Sequence, residues 1–318
     1  MFAVIGEALL DMVQPVPAGP YDARPGGGPM NIAVGLQRLG YRTHLMARLS
    51  TGPLGAVVRR HVEANELDTS TCVDTDDLTT LAFAALDPQG RASYDFYVNG
   101  TADWGWTAEE LGLLPSVAQV VHTGSLATVI EPAATAIAEL YAGLHAAGGR
   151  LLSFDPNVRP ALAGSRADAV ARVEHLVRSS HVVKASDEDV GWLYPRQPLD
   201  DVLEHWLGLG AALVVMTEGP DGCRARSGQG DVVDLPGLTV RMQDTIGAGD
   251  AFESGLLSGL FDAGAASPGS IRELTRDALT DVLRRAVRVA GLTCERAGAD
   301  PPTRAEYAVA AGSADPWI

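Results

Sequence analysis

The nine residues DTIGAGDAF, from Asp244 to Phe252, decide the fold of this chain. Gly247 and Gly249 let the backbone approach a ligand closely, and the apolar stretch SGLLSGLF nearby indicates that the loop opens a helix. The first amides of a helix lack partners within the helix and favour an anion. Asp250 is electrostatically out of place there unless its carboxylate accepts a proton. The stretch therefore predicts an anion-binding loop that carries its own base.

Length and composition indicate an ordinary globular protein. The chain has 318 residues, of which 46% are hydrophobic and 20% charged, so we expect one α/β domain over residues 1–318. A formal net charge of −16 disfavours binding to nucleic acid or to an anionic membrane, and any bound anion must be held locally. No uncharged apolar run approaches the roughly 20 residues of a membrane span, and the N-terminal stretch lacks the basic region of a signal peptide. We therefore expect a cytoplasmic protein.

Several familiar sites are excluded by residue type. Lys184 is the only lysine, and it does not follow a glycine, so there is no Walker A loop. The stretch FAVIGEALLD has one glycine where a dinucleotide-binding fingerprint has three. The three cysteines and seven histidines show no metal-type spacing, so we expect buried free thiols and structural or surface histidines. A phosphate group would therefore have to be bound by a loop of another kind.

The C-terminal two thirds of the chain alternates strand-like and helix-like segments. AQVVHTGS, RLLSFDPN, SHVVKAS and ALVVMTEG read as buried strands that end in polar or glycine-rich loops. A helix begins at Pro132 and ends at Gly148, with Ile137 and Tyr141 on its apolar face, and a second contains Val173. The pattern predicts a mostly parallel central sheet flanked by helices, with ligands at the carboxyl ends of the strands.

One stretch, residues 79–100, breaks this pattern. TTLAFAALDPQGRASYDFYVNG alternates with period two around residues 87–90, where Pro second and Gly fourth favour a type I turn. We expect a hairpin that pairs with residues near 10–25 in a small sheet. Such a sheet is either a lid over a cleft or a dimer contact, and both roles are open at this point.

A second glycine-rich stretch, RPGGGPMNIAVGLQRLG, begins at Arg24. Gly26 and Gly27 permit close backbone approach, and Asn31 is expected to begin a helix that ends at Gly40. On its own, this stretch is equally typical of a turn followed by an asparagine cap. Its order and residue types gain weight in combination with the loop at Asp250.

Together these motifs resemble those of the ribokinase-like (PfkB) sugar kinases, and most closely those of the fructokinases. The family pattern G-G-x-x-x-N matches Gly26, Gly27 and Asn31, and D-T-x-G-A-G-D matches residues 244–250. GEALLD, TTLAF, DPNVRP, KASDED, VVMTEGPDG and LTCERAGADPPTRAE add likeness in the same order over essentially the whole chain. The resemblance implies a ribokinase-like fold with a small β-sheet lid, and transfer of the γ-phosphate of ATP to a sugar hydroxyl.

The resemblance also implies roles for individual residues. The amides of Gly247, Ala248 and Gly249 would hold the γ-phosphate, and Asp250 would take the proton of the attacking hydroxyl. The sugar would be bound by Asp11, Gly26, Gly27, Asn31 and Arg159, although a surface role for Arg159 is equally open. The nucleotide would lie along Lys184, Ser186, Thr217, Gly219 and Gly222. ATP and Mg²⁺ are the implied cofactors, with K⁺ as a further expectation.

Metal handling is where the chain departs from the family pattern. The family's N-x-x-E stretch, which is tied to magnesium, is replaced by residues 186–189, so that Asp189 takes the last place with a shorter side chain. Asp189 is therefore the candidate for ordering the water shell of Mg²⁺. Asp244 is the candidate for a monovalent cation, with the backbone near Ala290 and Ala299.

The substrate is expected to be a neutral sugar, with D-fructose first. A carboxylate substrate needs a cationic partner, and relatives acting on 2-keto-3-deoxygluconate carry Tyr-Arg where this chain has Tyr97-Val98. A 2-keto-3-deoxygluconate kinase and a ribokinase are the alternatives within the class. A sugar- or nucleotide-binding regulator without turnover is the alternative outside it, and the intact loop at Asp250 argues against that. A homodimer through the lid is a further expectation.

Overall fold

The computed structural model describes residues 1–14, 19–86 and 92–312. Its strands are β1 (Phe2–Ile5), β2 (Leu9–Val13), β3 (Asp22–Gly26), β4 (Thr43–Met46), β5 (Arg48–Ser50), β6 (Val73–Thr75), β7 (Leu81–Leu86), β8 (Ala92–Tyr97), β9 (Val120–Gly124), β10 (Leu151–Asp155), β11 (Val182–Ser186), β12 (Leu213–Thr217), β13 (Cys223–Ser227) and β14 (Val232–Leu235). Its helices are α1 (Gly28–Arg38), α2 (Gly55–Ala64), α3 (Ala108–Leu111), α4 (Ala133–Ala147), α5 (Arg166–Arg178), α6 (Asp187–Leu193), α7 (Leu199–Leu209), α8 (Ala248–Asp262), α9 (Arg276–Cys294) and α10 (Arg304–Gly312).

Eight strands form the central sheet in the order β14-β13-β12-β11-β10-β9-β1-β4. From β12 to β4 every neighbouring pair is parallel, whereas at the other edge β13 runs antiparallel to both of its neighbours, β12 and β14. The helices α1, α8 and α9 cover one face, and α4, α5 and α7 cover the other. The expected mostly parallel sheet flanked by helices is therefore present. Strand β1 lies between β4 and β9, so the chain order reverses beside it, which is where open α/β sheets bind ligands.

The helices expected from sequence form where their signals lie, with one exception. Helix α4 follows Pro132 and ends before Gly148, which takes a positive φ of 68°. Helix α1 instead begins at Gly28, so the start expected at Asn31 was wrong by one turn. Pro29 explains the shift, because its fixed φ suits the first turn of a helix.

Helix α8 lies at the centre of the molecule. Every residue from Asp250 to Leu260 is buried, although four of them are glycine or serine. A Cβ atom on Gly255 would lie 2.7 Å from the Cα of Ala286, so that glycine allows α9 to pack closely. The small residues of this stretch therefore make room for neighbouring helices rather than for solvent.

A second sheet of four strands, in the order β3-β2-β7-β8, joins residues 9–26 to the hairpin expected from sequence. The turn predicted at 87–90 lies outside the described residues. On this sheet, Phe83 contacts both Tyr21 and Tyr97 edge-on, with ring centroids 5.1 and 5.3 Å apart. Tyr97 is 61% exposed, so part of this aromatic row faces solvent. Within the described ranges, none of the helices is both long enough and apolar enough to cross a membrane.

Candidate active site

The carboxyl ends of β9 and β10 meet the first turns of α1 and α8 beside β1. A Cβ atom on Gly28, the first residue of α1, would lie 3.1 Å from Asn157 Nδ2 and 3.4 Å from Asp250 Oδ1. It would also lie 3.5 Å from the Cβ of Ser125. Four segments far apart in the chain therefore converge around one glycine, whose missing side chain leaves room beside the carboxylate.

Asp250 is the acid at this convergence. It stands in the first turn of α8 and is 8% exposed. Asn31 Nδ2, from α1, donates a hydrogen bond to Asp250 Oδ2 at 2.8 Å. Burial raises the pKa of Asp250 above its ordinary value, and the Asn31 hydrogen bond and the Lys184 charge offset this only in part. A carboxylate with a raised pKa accepts a proton more readily, which suits a general base.

The glycine loop before Asp250 presents backbone donors. Gly247 caps α8 with a φ of 74°, and a Cβ atom there would lie 2.5 Å from the Cβ of Ala299. The Ala248 amide already donates to the Thr245 carbonyl at 3.2 Å. Within the described residues, the amides of Gly247 and Gly249 have no such partner. Of the three amides expected to bind phosphate, these two are therefore available at the positive end of the helix.

Lys184 lies directly beneath this loop. Its Nζ donates to Asp155 Oδ2 at 2.8 Å and would lie 3.2 Å from a Cβ atom on Gly249. Burial alone lowers the pKa of Lys184, but the nearby Asp155 and Glu253 raise it above its ordinary value. The lysine is therefore a buried cation under the glycine loop, paired with an acid.

The glycines expected beside the sugar are required by their neighbours. A Cβ atom on Gly26 would lie 2.0 Å from Asp11 Oδ2, and one on Gly27 would lie 2.6 Å from the Glu7 carbonyl oxygen. Gly27 also has a φ of 110°, which other residues rarely adopt. Burial raises the pKa of Asp11 to about 6, against a lowering effect from Arg159. Gly26 thus lets the Asp11 carboxylate lie against the start of α1, and Gly27 lets the Glu7 backbone do so.

Three contributors to this site were missed from sequence. Ser125 follows β9 directly and Asn157 lies two residues after β10, and both have a positive φ, 56° and 38°. Backbone of this kind concentrates at functional sites, since it costs energy. Gly28 is the third. The motif DPNVRP contains Asn157, and its position after a strand was the signal that could have found it.

Arg159 lies at the exposed margin of the site. Its NH1 group donates to the carbonyl oxygen of Asn157 at 3.2 Å and to Asn157 Oδ1 at 2.7 Å. Its charge lowers the pKa of both Asp11 and Asp250, against the larger opposing effect of burial. Arg159 therefore acts on the site electrostatically while its side chain is held by the adjacent loop.

Ser186 and Asp189 form a capping box at the start of α6. Ser186 Oγ accepts from the Asp189 amide at 3.1 Å, and Asp189 Oδ2 accepts from the Ser186 amide at 3.1 Å. Asp189 Oδ1 accepts from the Val158 amide at 2.7 Å. Both oxygens of Asp189 are thus engaged by backbone groups, and the residue joins α6 to the loop that follows β10.

The loop after β12 was expected to border the nucleotide. Thr217 ends the strand, and Gly219, with a φ of 52°, has open space on its side-chain side. A Cβ atom on Gly222 would lie 2.0 Å from the Leu235 carbonyl oxygen. Gly222 is therefore required for the turn into β13, whereas Gly219 leaves room for a ligand.

Asp244 connects the glycine loop to the segment after α9. Its Oδ1 accepts from the Ile246 amide at 3.1 Å, and its Oδ2 accepts from the Gly298 amide at 2.8 Å. These bonds hold Ala299 against Gly247. In the part of the chain that the structure describes, no group of three or more His, Cys, Asp or Glu side chains is placed to hold a metal ion.

Comparison with known proteins finds one family and similar relatives over almost the whole chain. The family model for pfkB family carbohydrate kinases matches residues 1–306. A fructokinase of Rhizobium leguminosarum bv. trifolii is 33% identical over 265 residues, covering 82% of this chain and 79% of that protein. Fructokinase-1 of Zea mays is 32% identical over 315 residues, covering 95% and 94%.

Solved structures of fructokinases resemble this fold over almost the whole chain. The crystal structure of fructokinase with bound ATP from Xylella fastidiosa has a TM-score of 0.87 at 26% identity, over 97% of each chain. The fructokinase of Vibrio cholerae O395 in its fructose, ADP and calcium ion bound form has a TM-score of 0.82 at 27% identity, over 96% of this chain and 97% of that one.

Proposed function

The chain belongs to the pfkB family of carbohydrate kinases, and on that premise we propose that it phosphorylates a small neutral sugar with ATP, most readily D-fructose. The observation that carries this proposal is the placement of Asp250. Its carboxylate is buried, bonded to Asn31, and adjacent in the chain to the amides of Gly247 and Gly249. A base and an anion site on one helix turn are what transfer of a phosphoryl group to a hydroxyl requires.

The proposed reaction follows from this arrangement. A sugar hydroxyl in the space beside Gly28 gives its proton to Asp250 as its oxygen attacks the γ-phosphorus. The bond from that phosphorus to the bridging oxygen breaks, and ADP leaves with that oxygen. The amides of Gly247 and Gly249, with the Lys184 cation beneath them, stabilise charge on the phosphoryl oxygens. Such a general base contributes roughly 10²- to 10⁴-fold to the rate.

For Mg²⁺, the residues fit a metal held mainly by the nucleotide. Each oxygen of Asp189 accepts one backbone amide, which leaves acceptor capacity on both oxygens for a water molecule of the metal. Mg²⁺ commonly keeps several waters and binds substrate phosphates, and when bound it would neutralise phosphate charge. A K⁺ ion beside Asp244 would have to share a carboxylate already bonded to two amides.

The preference for a neutral sugar rests on local charge. Glu7, Asp11 and Asp250 lie around the proposed sugar pocket, and burial raises the pKa of each. Arg159, at the exposed margin, is the cation whose charge reaches all three. Val98 is an uncharged side chain that packs against the apolar core, so it adds no cation to the pocket. A substrate carboxylate would therefore lack a dedicated partner.

The test is a coupled assay of ADP release with fructose, ribose, nucleosides and 2-keto-3-deoxygluconate at saturating Mg-ATP. We expect fructose to have the highest kcat/KM. We expect the acid sugar to lie at least about tenfold lower, because an unpaired buried charge costs roughly 1–3 kcal/mol or more.

Each outcome has its own consequence. If the acid sugar is the best substrate, the charge argument is wrong. If ribose is the best, only the choice of fructose fails. If none of the sugars stimulates ADP release by the purified chain, the proposed activity fails and a binding protein without turnover takes its place.

A further inference from the structure

A cluster of buried polar side chains lies between α8 and the central sheet, behind the proposed active site. Its members are Glu253 on α8, Ser153 on β10 and His122 on β9, with exposures of 0%, 0% and 1%. Ser153 and His122 are register partners on neighbouring parallel strands, so their side chains emerge side by side on one face. The apolar neighbours on that face, such as Leu151, belong to the core packed under α8. Three polar residues thus replace apolar ones where the sheet meets the helix.

Short contacts join the three side chains. Ser153 Oγ donates to Glu253 Oε1 at 2.6 Å, and His122 Nδ1 lies 3.3 Å from the same oxygen. His122 Nδ1 and Ser153 Oγ are 3.1 Å apart. Burial alone would raise the pKa of Glu253, but His122, Lys184 and Ser153 outweigh it and hold that pKa below its ordinary value. Glu253 is therefore a buried, charged acid with neighbours on two strands.

Stability does not account for such a cluster. A buried charge costs desolvation energy, and replacing a buried ion pair by apolar residues of similar size is often neutral or stabilising. The cluster also leaves Glu253 Oε2 and His122 Nε2 without hydrogen-bond partners among the described residues. An arrangement that is only partly satisfied is better explained by a role in the adjacent chemistry than by the core.

The position of Glu253 in α8 connects it to that chemistry. Residues three apart in a helix are neighbours on one face, so Glu253 follows Asp250 by one turn. The other sides of this helix touch α1 and α9 through glycines, where Gly35 meets Ser254 and Gly255 meets Ala286. The polar contacts of Glu253 join this helix to the sheet at β9 and β10.

We propose that Glu253 is a positioning residue, which aligns Asp250 and the Gly247 and Gly249 amides with the two reacting groups through its contacts with Ser153 and His122. The inference rests on the proposed kinase function. Loss of these contacts would leave the pocket and its ligands in place while the base and the anion site shift. Misplacement by about 1 Å is enough to slow a reaction by up to about 10²-fold.

The experiment compares two variants with wild type. Glu253→Gln keeps the volume and an acceptor for Ser153. A triple variant, Ser153→Ala with His122→Leu and Glu253→Leu, makes the whole cluster apolar and leaves no charge unpaired. We expect the triple variant to fold, to bind sugar and ATP within about threefold of wild type, and to lose at least about tenfold in kcat. The kcat of Glu253→Gln should lie between that of wild type and that of the triple variant.

A control and a second readout separate positioning from structure. Ser258→Ala removes a buried hydroxyl from the same helix that bonds only to the Gly255 carbonyl, at 3.0 Å, and should leave kcat within twofold. Amide exchange over residues 247–253, measured without substrate, should be faster in the triple variant than in the control. This measurement requires no turnover.

The outcomes are distinct. A triple variant with wild-type kcat and unchanged exchange over residues 247–253 overturns the inference. If the triple variant does not fold, Glu253→Gln decides instead. A wild-type kcat in Glu253→Gln then overturns the inference. If wild type phosphorylates no sugar but exchange over residues 247–253 rises in the triple variant, the proposed function fails and the positioning role stands.

Discussion

The first turn of α8 and the four-stranded sheet border the same proposed pocket but are built in opposite ways. Asp250 and the ten residues after it are buried, and α8 with its Gly247 cap contacts α1, α9, two central strands and the segment at Ala299. The small sheet pairs mainly with itself and presents the row of Tyr21, Phe83 and Tyr97, in which Tyr97 is largely exposed.

The difference separates two tasks that a kinase of this kind must perform. Groups that stabilise a transition state work only if they are already in place, which calls for dense packing on several sides. A segment that admits the sugar and then excludes water must move, which calls for few contacts with the core. The comparison therefore predicts that changes at α8 act on the rate, whereas the small sheet responds to ligand.

The largest effect is expected for Asp250→Asn. The amide keeps the shape of the side chain but cannot accept the hydroxyl proton, so kcat should fall by at least about 10²-fold while sugar affinity and thermal stability change little. Steady-state kinetics, calorimetric sugar binding and thermal unfolding measure the three quantities. Asp262→Asn, which removes a charge from the exposed end of the same helix, is the matched control. More than about a tenth of wild-type turnover in Asp250→Asn would end its assignment as the base.

The second largest fall in kcat is expected for Gly247→Ala. The new methyl group would lie 2.5 Å from the Cβ of Ala299 and would displace the loop that presents the amides. Since one anion-hole donor is worth roughly 10²-fold, we expect kcat to fall by about tenfold or more, together with weaker ATP binding. Gly264→Ala is the control, because Gly264 has a φ of 76°, close to the 74° of Gly247, but nothing within 4 Å.

Both glycine variants should lose roughly 1–2 kcal/mol of stability from the left-handed backbone. Only Gly247→Ala should slow the reaction. Equal loss of turnover in the two variants would show that backbone strain, rather than the loop position, sets the rate.

A smaller effect concerns pH. Arg159 lowers the pKa of Asp11 and Asp250, so Arg159→Gln should raise both. Both acids are proposed to act as carboxylates, and activity is lost as pH falls through their pKa values. The acidic limb of kcat/KM should therefore move to higher pH, with a deeper fall between pH 8 and pH 6. Arg166→Gln, in which the lost guanidinium stacks over Trp192 at 5.4 Å, should leave the limb in place. An unchanged limb in Arg159→Gln would contradict the electrostatic role.

The smallest change, and one without a mutation, is expected in the small sheet. Saturating fructose should slow amide exchange in β7 and β8, because closure over the sugar would limit wasteful hydrolysis of ATP. Exchange in α8 should stay slow throughout. If protection of the hairpin follows protein concentration and not sugar, the sheet is a dimer contact instead, and the contrast with α8 concerns assembly rather than closure.

Much of the architecture was predictable because its signals are local. Alternation, apolar runs and helix ends depend on residues within a few positions of each other, and they located β9 to β12, α4 and the hairpin. The two glycine motifs pointed to the family and to Asp250 for the same reason. The start of α1 was misjudged because Asn31 resembles a cap when its partner is not visible.

The roles within the site were harder to predict. Asp189 was expected to serve a metal, yet its oxygens bond the amides of Ser186 and Val158. Lys184 was expected to contact nucleotide, yet it is paired with Asp155 beneath the loop. The roles expected for Asp189 and Lys184 stay predictions, because the partners of each residue lie on other elements that the local sequence does not show.

The sequence by itself determined the class of fold and the family, and it singled out the residues that we propose bind an anion and take a proton. Only the tertiary structure decided which of them meet. Asn31 and Asp250 are 219 positions apart, and Ser153 and Glu253 are 100 apart. Contacts over such distances depend on the strand order and on how closely helices approach the sheet. Those features result from the packing of the whole core, and no short stretch of the chain encodes them.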